Sequence, residues 1–464
     1  VASGFRYIAL SLLVAACPGK STAPGADAGL PDEGQDGGRG DAGFQDAGTD
    51  AGADAGACAL SFAASPEELS APCGGFGYGA GLIAAALGPS RYPDLVFWTV
   101  DEDGTNAAVN MLYNHDDGGW ISGLSSTLPL GSNLDGGSIE AVAVGDFNGD
   151  GFLDLTVSGE LGVCNGCPPL GELVLLFGDG DGGLSAPDAL PWADQTYSVA
   201  FMGPQSLVAA DLDGDGLADV ASAMLEDTVG EEHEDLVVFL SGGAELQADG
   251  GVHYPLTQSN WGLTSLVAAD LDGDGRPDIA VAAGDVYLYL NQGRGVFSAP
   301  QSFTATYGAN WLAVADFDGD GTPDLVVENE TGVGDSEVGV QIFLNDGQGS
   351  FAAQPAVLLP LGVPASVNYG GQIAAADFTG DGMPDLATFN SVQGNAVLLV
   401  LPGLGGGALG VARTFTTSLA HVETPGSATV AAPLTGGPLS DLAVGVPNVG
   451  NYCTVLTTLG NDCR

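Results

Sequence analysis

Positive charge is what this sequence has least of: eight Lys plus Arg stand against 59 Asp plus Glu, for a formal charge of −51 over 464 residues. So few cations cannot form a basic patch, which excludes nucleic acid and an anionic membrane surface as partners. The apolar run Tyr7 to Ala16 is too short to span a bilayer as a permanent helix. No G-x-S-x-G or H-E-x-x-H occurs, and GLGGGALG from Gly403 to Gly410 reads as a turn between strands rather than a phosphate cradle. The four histidines, His115, His233, His253 and His421, share no metal-ligand spacing. With Arg, Lys and His this scarce, the base and charge-neutralising groups that an enzyme needs are poorly supplied, and the expectation is a non-enzyme.

Glycine and apolar residues, by contrast, are abundant. Seventy-five Gly and 26 Pro among plentiful Val, Leu, Phe and Tyr describe many short strands joined by tight turns, not long helices. The aspartates are not scattered as solvation alone would allow. They recur in a nine-residue loop whose clearest copy is Asp270 to Asp278, DLDGDGRPD. Oxygen ligands at positions one, three, five and nine, with a backbone oxygen at seven, suit a hard cation that takes six to eight oxygens. Glycine at four and six reaches positive φ without steric cost, so the loop can turn sharply enough to aim them at one point.

Five loops keep this set. They are Asp146, Asn148, Asp150, Phe152 (carbonyl) and Asp154; Asp211, Asp213, Asp215, Leu217 (carbonyl) and Asp219; Asp270, Asp272, Asp274, Arg276 (carbonyl) and Asp278; Asp316, Asp318, Asp320, Thr322 (carbonyl) and Asp324; and Asp377, Thr379, Asp381, Met383 (carbonyl) and Asp385. About five Ca2+ ions are expected, structural rather than ligand-bridging, taking −51 to about −41 at +2 per ion. Asn148 and Thr379 each remove a charge, so those two sites should be weaker. An EF-hand is excluded, because its loop closes with a bidentate Glu at position 12 between helices.

Two degenerate copies complete the series, at Ala86, Gly88, Ser90, Asp94 and at Pro433, Thr435, Gly437, Asp441. First positions at 86, 146, 211, 270, 316, 377 and 433 are separated by 60, 65, 59, 46, 61 and 56 residues, a period suited to a four-stranded blade. The register holds away from the aspartates. The residue before position one is always Ala or Gly, position two is always Leu or Phe, and the residue after position nine is always Leu, Ile or Val. Each loop therefore joins an Ala-rich inner strand to an apolar second one. A third strand runs into a Gly-rich turn and a fourth, as in LNQGRGVFSAP (Leu290 to Pro300) and LNDGQGSFAAQP (Leu344 to Pro355). The predicted fold is all-β, a seven-bladed β-propeller of four-stranded antiparallel blades.

At this point the chain resembles the FG-GAP or VCBS repeat proteins, whose propeller also forms the head of integrin α chains. The resemblance rests on the DxDGDGxxD loops and on pairs such as Phe177-Gly178 with Ala186-Pro187, and it covers Ala59 to Arg464. It implies the propeller and calcium, and says little about task. The seventh unit stops at Arg464 without a fourth strand, and Ala59 to Ala64 supplies the missing piece, since LGNDCR joined to CALSFAASP imitates LNQGRGVFSAP. The ring would thus close on its amino-terminal strand. That join favours a Cys58–Cys463 disulfide with Cys73 and Cys453 as a second pair, against the local alternative of Cys58 with Cys73 and Cys453 with Cys463. Cys164 and Cys167 read as a small loop disulfide rather than half a zinc site.

The amino end divides into three stretches. Residues 1–17 read as a secretory signal, and Val14-Ala15-Ala16-Cys17 resembles the bacterial lipobox, which implies lipidation at Cys17. Residues 18–57 are a Gly/Ala/Asp-rich tether with too few apolar residues to fold, and Arg39-Gly40-Asp41 within it reads as a chance match to an integrin-binding tripeptide. Residues 58–464 form the propeller. Export, with a lipid anchor at the bacterial outer membrane or cell surface, is the expected localisation; the alternative is secretion after an ordinary signal peptide in which Cys17 is incidental. His233 lies in the acidic stretch Glu231 to Asp235, which reads as a solvated loop. Trp261, Trp311 and Tyr369 precede inner strands on the face opposite the acidic loops, where aromatics can stack on sugars, hold a peptide or pack between blades. The expectation is a monomeric binding, adhesion or scaffold module for a protein or glycan. A polysaccharide-binding lectin or a lyase-type propeller enzyme is the alternative.

Overall fold

The computed structural model describes residues 62–63, 69–70, 82–100, 107–114, 120–127, 138–161, 170–184, 188–191, 200–228, 231–242, 246, 251–256, 265–329, 338–359, 370–392, 395–420, 428–432, 441–448 and 453–461. The signal, the tether, Cys58, Cys73, Cys164, Cys167, Cys463, Trp261 and Tyr369 lie outside them. Cys453 is described in its backbone alone. No helix among the described residues is long and apolar enough to cross a membrane.

Every regular element among the described residues is a strand. Two short ones, β1 (Phe62–Ala63) and β2 (Leu69–Ser70), open the series. They are followed by β3 (Leu82–Ala85), β4 (Asp94–Val100), β5 (Ala107–Asn114) and β6 (Trp120–Thr127). Next come β7 (Ser138–Gly145), β8 (Asp154–Leu161), β9 (Leu170–Leu176) and β10 (Asp188–Pro191), then β11 (Ala200–Ala210), β12 (Asp219–Thr228), β13 (Glu231–Phe239) and β14 (Val252–Leu256). The chain continues through β15 (Ser265–Ala269), β16 (Asp278–Ala283), β17 (Asp285–Tyr289) and β18 (Gln301–Phe303), and through β19 (Trp311–Ala315), β20 (Asp324–Glu328), β21 (Gly339–Asn345), β22 (Phe351–Ala353) and β23 (Val357–Leu358). It ends with β24 (Gly370–Ala376), β25 (Asp385–Val392), β26 (Asn395–Leu401) and β27 (Arg413–Ala420), then β28 (Ala428–Ala432), β29 (Asp441–Asn448) and β30 (Cys453–Asn461).

Each group forms one antiparallel sheet in chain order, and β1 and β2 both pair with β30. First strands lie side by side from β7 through β11, β15, β19 and β24 to β28, and β28 also lies against β3. The fold is an all-β propeller of antiparallel sheets.

Position in the blade explains the composition of each strand. β16 (DIAVAA) is buried throughout because both its faces meet a neighbouring blade. Along it Ile279, Val281 and Ala283 pack toward the preceding blade, with Leu212 and Leu236, while Ala280 and Ala282 pack toward the following one, with Leu312 and Phe343. That accounts for an unbroken apolar run where a one-sided sheet would alternate. Inner strands β15 and β19 end in half-buried small residues, and the fourth strands β14, β18 and β22 are largely exposed. The small residue before each loop is sterically required at Gly145, where an added Cβ would collide with the Ala218 Cβ of the next blade. Position two, Leu87, Phe147, Leu212, Leu271, Phe317 and Phe378, is buried in all six blades where its side chain is described.

Three expectations need correction. The acidic stretch Glu231 to Asp235, expected as a solvated loop, opens strand β13 and pairs along β12, with His233 opposite Glu226. Not every sheet has four strands. The β19 sheet gains β23 beyond β22 on β21, and the closing sheet holds two short amino-terminal strands rather than one from Ala59 to Ala64. β1 pairs Phe62 with Asn461 and Ala63 with Gly460, while β2 pairs Leu69 with Leu456 and Ser70 with Val455. The sequence between them carries Pro66, which has no N–H for a ladder. Trp311 also corrects its ligand-face assignment. Only 9% exposed, it sits in the apolar cluster with Val326, Val338 and Val340 and is paired across the ladder with Glu328, so it packs between strands instead of presenting a ring to solvent.

Candidate metal centres

Each acidic loop connects the first strand of a blade to its second, and the five share one backbone form. The glycines at four and six all have positive φ, from 76° and 87° at Gly149 and Gly151 to 77° and 87° at Gly380 and Gly382. At position six a Cβ would meet nothing, so glycine is needed there for conformation and not for space. The first aspartate holds the turn from inside: Asp270 Oδ1 accepts the Gly273 N–H at 2.8 Å and Oδ2 the Gly275 N–H at 2.9 Å, and Asp146, Asp211, Asp316 and Asp377 do the same. The fifth position accepts the N–H of the seventh, as in Asp215 to Leu217 at 2.8 Å.

These bonds use only part of each carboxylate's capacity, since two oxygens offer about four lone pairs. Carboxylate oxygens of Asp211, Asp213 and Asp215 lie within 4.8 Å of one another, as do those of Asp270, Asp272 and Asp278 and those of Asp316, Asp318 and Asp320. Among the described residues these are the three such groups. The loops with Asn148 and Thr379 have lost a carboxylate at position three. Thr379 Oγ1 is buried and makes no hydrogen bond among the described residues, an orphaned oxygen that a cation would satisfy. An all-oxygen donor set with unneutralised carboxylates fits Ca2+. Arg276 alone brings a cation into a loop: its guanidinium pairs with Asp274 and donates through Nε to the Asn291 carbonyl at 2.9 Å.

The ninth aspartate has a second task that reading it as a ligand did not show. Asp278 is fully buried; its Oδ2 accepts the N–H groups of Leu271 (2.9 Å) and Asp272 (3.2 Å), and its Oδ1 that of Asn291 (2.7 Å) at the end of the third strand. Asp154 and Asp324 keep two of these N–H donors, from position two and from at or just past the end of the third strand, and Asp219 and Asp385 repeat the arrangement with all three. So does Asp94, in the loop that has lost its other acidic ligands, accepting from Leu87, Gly88 and Asn114. The retained Asp94 was the available signal: a residue kept where the metal set has gone ties backbone together. Burial pushes the carboxyls of Asp219, Asp278, Asp324 and Asp385 up to about 6, overcoming the opposing pull of these N–H donors; Asp94 and Asp154 move the same way.

Seventh-position side chains cover the turns. Phe152 lies against Gly180, Arg276 against Gly293, Thr322 against Gly347 and Met383 against Gly405, each in its own blade, while Leu217 reaches Gly149 of the preceding loop.

Fold and loops together define the class: a β-propeller with repeated acidic, glycine-bearing turns. The FG-GAP-like repeat profile matches residues 211–281, 270–327 and 332–388, and the FG-GAP repeat profile residues 139–162. FG-GAP-like repeats thus occupy residues 139–162, 211–327 and 332–388 of this β-propeller. All five complete loops fall within the matched residues and the two degenerate ones outside. No curated protein sequence matches the chain. Similar solved structures include BBS1N in complex with ARL6DN (11% identity, 86% of this chain and 99% of that chain, TM-score 0.47) and NanB sialidase from Streptococcus pneumoniae (12%, 85% and 70%, 0.43). The V. cholerae biofilm matrix protein Bap1 is another (12%, 85% and 89%, 0.40). At these scores the likenesses carry no argument about task.

Proposed function

We propose that this chain is an exported, calcium-stabilised propeller that serves as a binding or scaffold module. The observation that carries the reading is the set of carboxylate triads held by identical loops between strands, far richer in negative charge than a turn requires. About five ions bind, more weakly at the loops with Asn148 and Thr379, and they are structural: each offsets the repulsion of a turn whose backbone is already shaped to receive it. Calorimetric titration of chelator-treated protein should find about five Ca2+ per chain in two affinity classes, three tighter and two weaker. A stoichiometry of one or none would sink the reading.

The blades number seven, closed where β28 meets β3 and where β1 and β2 complete the last sheet on β30. Projection images showing another number of wedges would overturn that count. The module is a monomer held at the cell surface by a lipid on Cys17, and intact mass of the exported protein tests the anchor, since an unmodified Cys17 would remove it. Its ligand is a protein or glycan met by loops rather than by Trp311, whose burial weakens the lectin alternative. The scarcity of Arg, Lys and His supports a non-enzyme, and turnover of any polysaccharide by the purified chain would reverse that assignment.

A further inference from the structure

We propose that Asn291 and Asn345 are positioning residues that couple three successive acidic loops, 211–219 to 270–278 and 270–278 to 316–324, so that a cation in one loop raises the affinity of its neighbour. The inference rests on the calcium reading and concerns this chain's own residues.

Asn291 follows β17 and is 1% exposed. Its Nδ2 donates to two carbonyls in different blades: Leu212, position two of the preceding loop, at 2.9 Å, and Pro277, position eight of its own loop, at 2.9 Å. Its Oδ1 accepts the Gly293 N–H at 2.8 Å, its N–H donates to Asp278 Oδ1, and its carbonyl accepts from Arg276. Asn345 repeats this one blade on, reaching Leu271 at 2.9 Å and Pro323 at 3.0 Å, accepting from Gly347 through Oδ1 and donating to Asp324 through its N–H. A backbone bond reinforces each: Gly295 donates to the Leu212 carbonyl at 3.1 Å and Gly349 to the Leu271 carbonyl at 3.0 Å.

The peptide units at position two are therefore gripped on both sides. The Leu212 N–H is held by Asp219 in its own blade and the Leu212 carbonyl by Asn291 and Gly295 of the next. Position two lies between the carboxylates at one and three, so anything that shifts it shifts both. Once a cation orders the loop from 211 to 219, it presents a fixed carbonyl to Asn291, whose other contacts then hold Pro277 and Asp278 of the following loop in place. Ordering is shared, so the second ion meets a loop with less disorder left to remove. Ser241 is a one-armed version, its Oγ donating to the Phe147 carbonyl at 2.7 Å, and Gly403 has no side chain for the purpose.

Hydrogen exchange with mass spectrometry, followed along a calcium titration of the full chain, reads each loop separately. Asp213→Asn with Asp215→Asn empties the loop from 211 to 219 while sparing Asp219. This should raise the free calcium needed to protect the loop from 270 to 278 by about 5-fold, a typical coupling between sites, and leave the loop from 377 to 385 unmoved. In an Asn291→Ala background the same pair of changes should move the loop from 270 to 278 no further. A shift that persists without Asn291 would be long-range electrostatics and would overturn the proposal, as would no shift when Asn291 is present. If Asn291→Ala fails to fold, Asn345→Ala with Asp272→Asn and Asp274→Asn runs the same test on the loops from 270 to 278 and 316 to 324. If no loop of the unaltered protein gains protection with calcium, the cation reading itself falls and takes the coupling with it.

Discussion

Replacing Asp278 with alanine should lower stability by about 2–4 kcal/mol and, in a repeat ring where neighbours share their cores, lower the unfolding midpoint of the whole chain. Three backbone N–H groups lose their acceptor, those of Leu271 and Asn291 in a site closed to water and that of Asp272 at its partly buried edge. An unmet buried donor costs about 1–3 kcal/mol. Relief of a buried carboxylate offsets part of that, which is why the net falls short of three full penalties. Asp278→Asn keeps one acceptor oxygen and should cost roughly half as much. Asp94→Ala separates structure from metal: it removes the acceptor of Leu87, Gly88 and Asn114 in a loop with no cation set, so its cost should be the same with calcium or with chelator. Urea midpoints in both buffers measure this. An Asp94→Ala protein as stable as its parent would mean that the ninth aspartate is kept for metal alone.

What the sequence made readable was local. Positive φ at the loop glycines, a small residue before position one and an apolar residue at two and ten all follow from contacts inside one turn or one blade interface repeated around the ring, so seven copies expose them. What it hid was contact between blades. The acceptor of Asn291 is 79 residues away and that of Asn345 is 74, and nothing in LNQGRG or LNDGQG says that the amide reaches a neighbouring loop. The ninth aspartate was misread by half, because a carboxylate that completes a cation set and one that caps three N–H groups are the same letter. Trp311 was read as preceding an inner strand but is the first residue of β19, and apolar residues of its cluster, such as Val338 just before β21, have no fixed spacing from it.

Chelation should lower the thermal midpoint at pH 7.5 by more than any single substitution, because each ion present at 100 times its dissociation constant adds about 2.7 kcal/mol and about five act together. The metal-free protein should then answer acid in an unusual direction. The carboxyls of Asp219, Asp278, Asp324 and Asp385 stand at about 6 in the fold against an ordinary value of 3.8, with burial the leading cause. Between those values the folded chain holds protons that the unfolded chain has released. Their stabilising contribution is therefore complete below about 3.8, is lost as pH rises through about 6, and stays at its lower level above that. Easing the repulsion of a chain with formal charge −51 works in the same direction. So in chelator the midpoint should rise when pH falls from 7.5 to 5, while in saturating calcium it should fall, because protons compete with the ion for Asp211, Asp270, Asp316 and their neighbours. The two curves approach each other in acid and separate toward neutral pH. A metal-free midpoint that drops on acidification would show that the N–H donors outweigh burial at the ninth position, and a midpoint at pH 7.5 indifferent to chelator would remove calcium from the account of this fold.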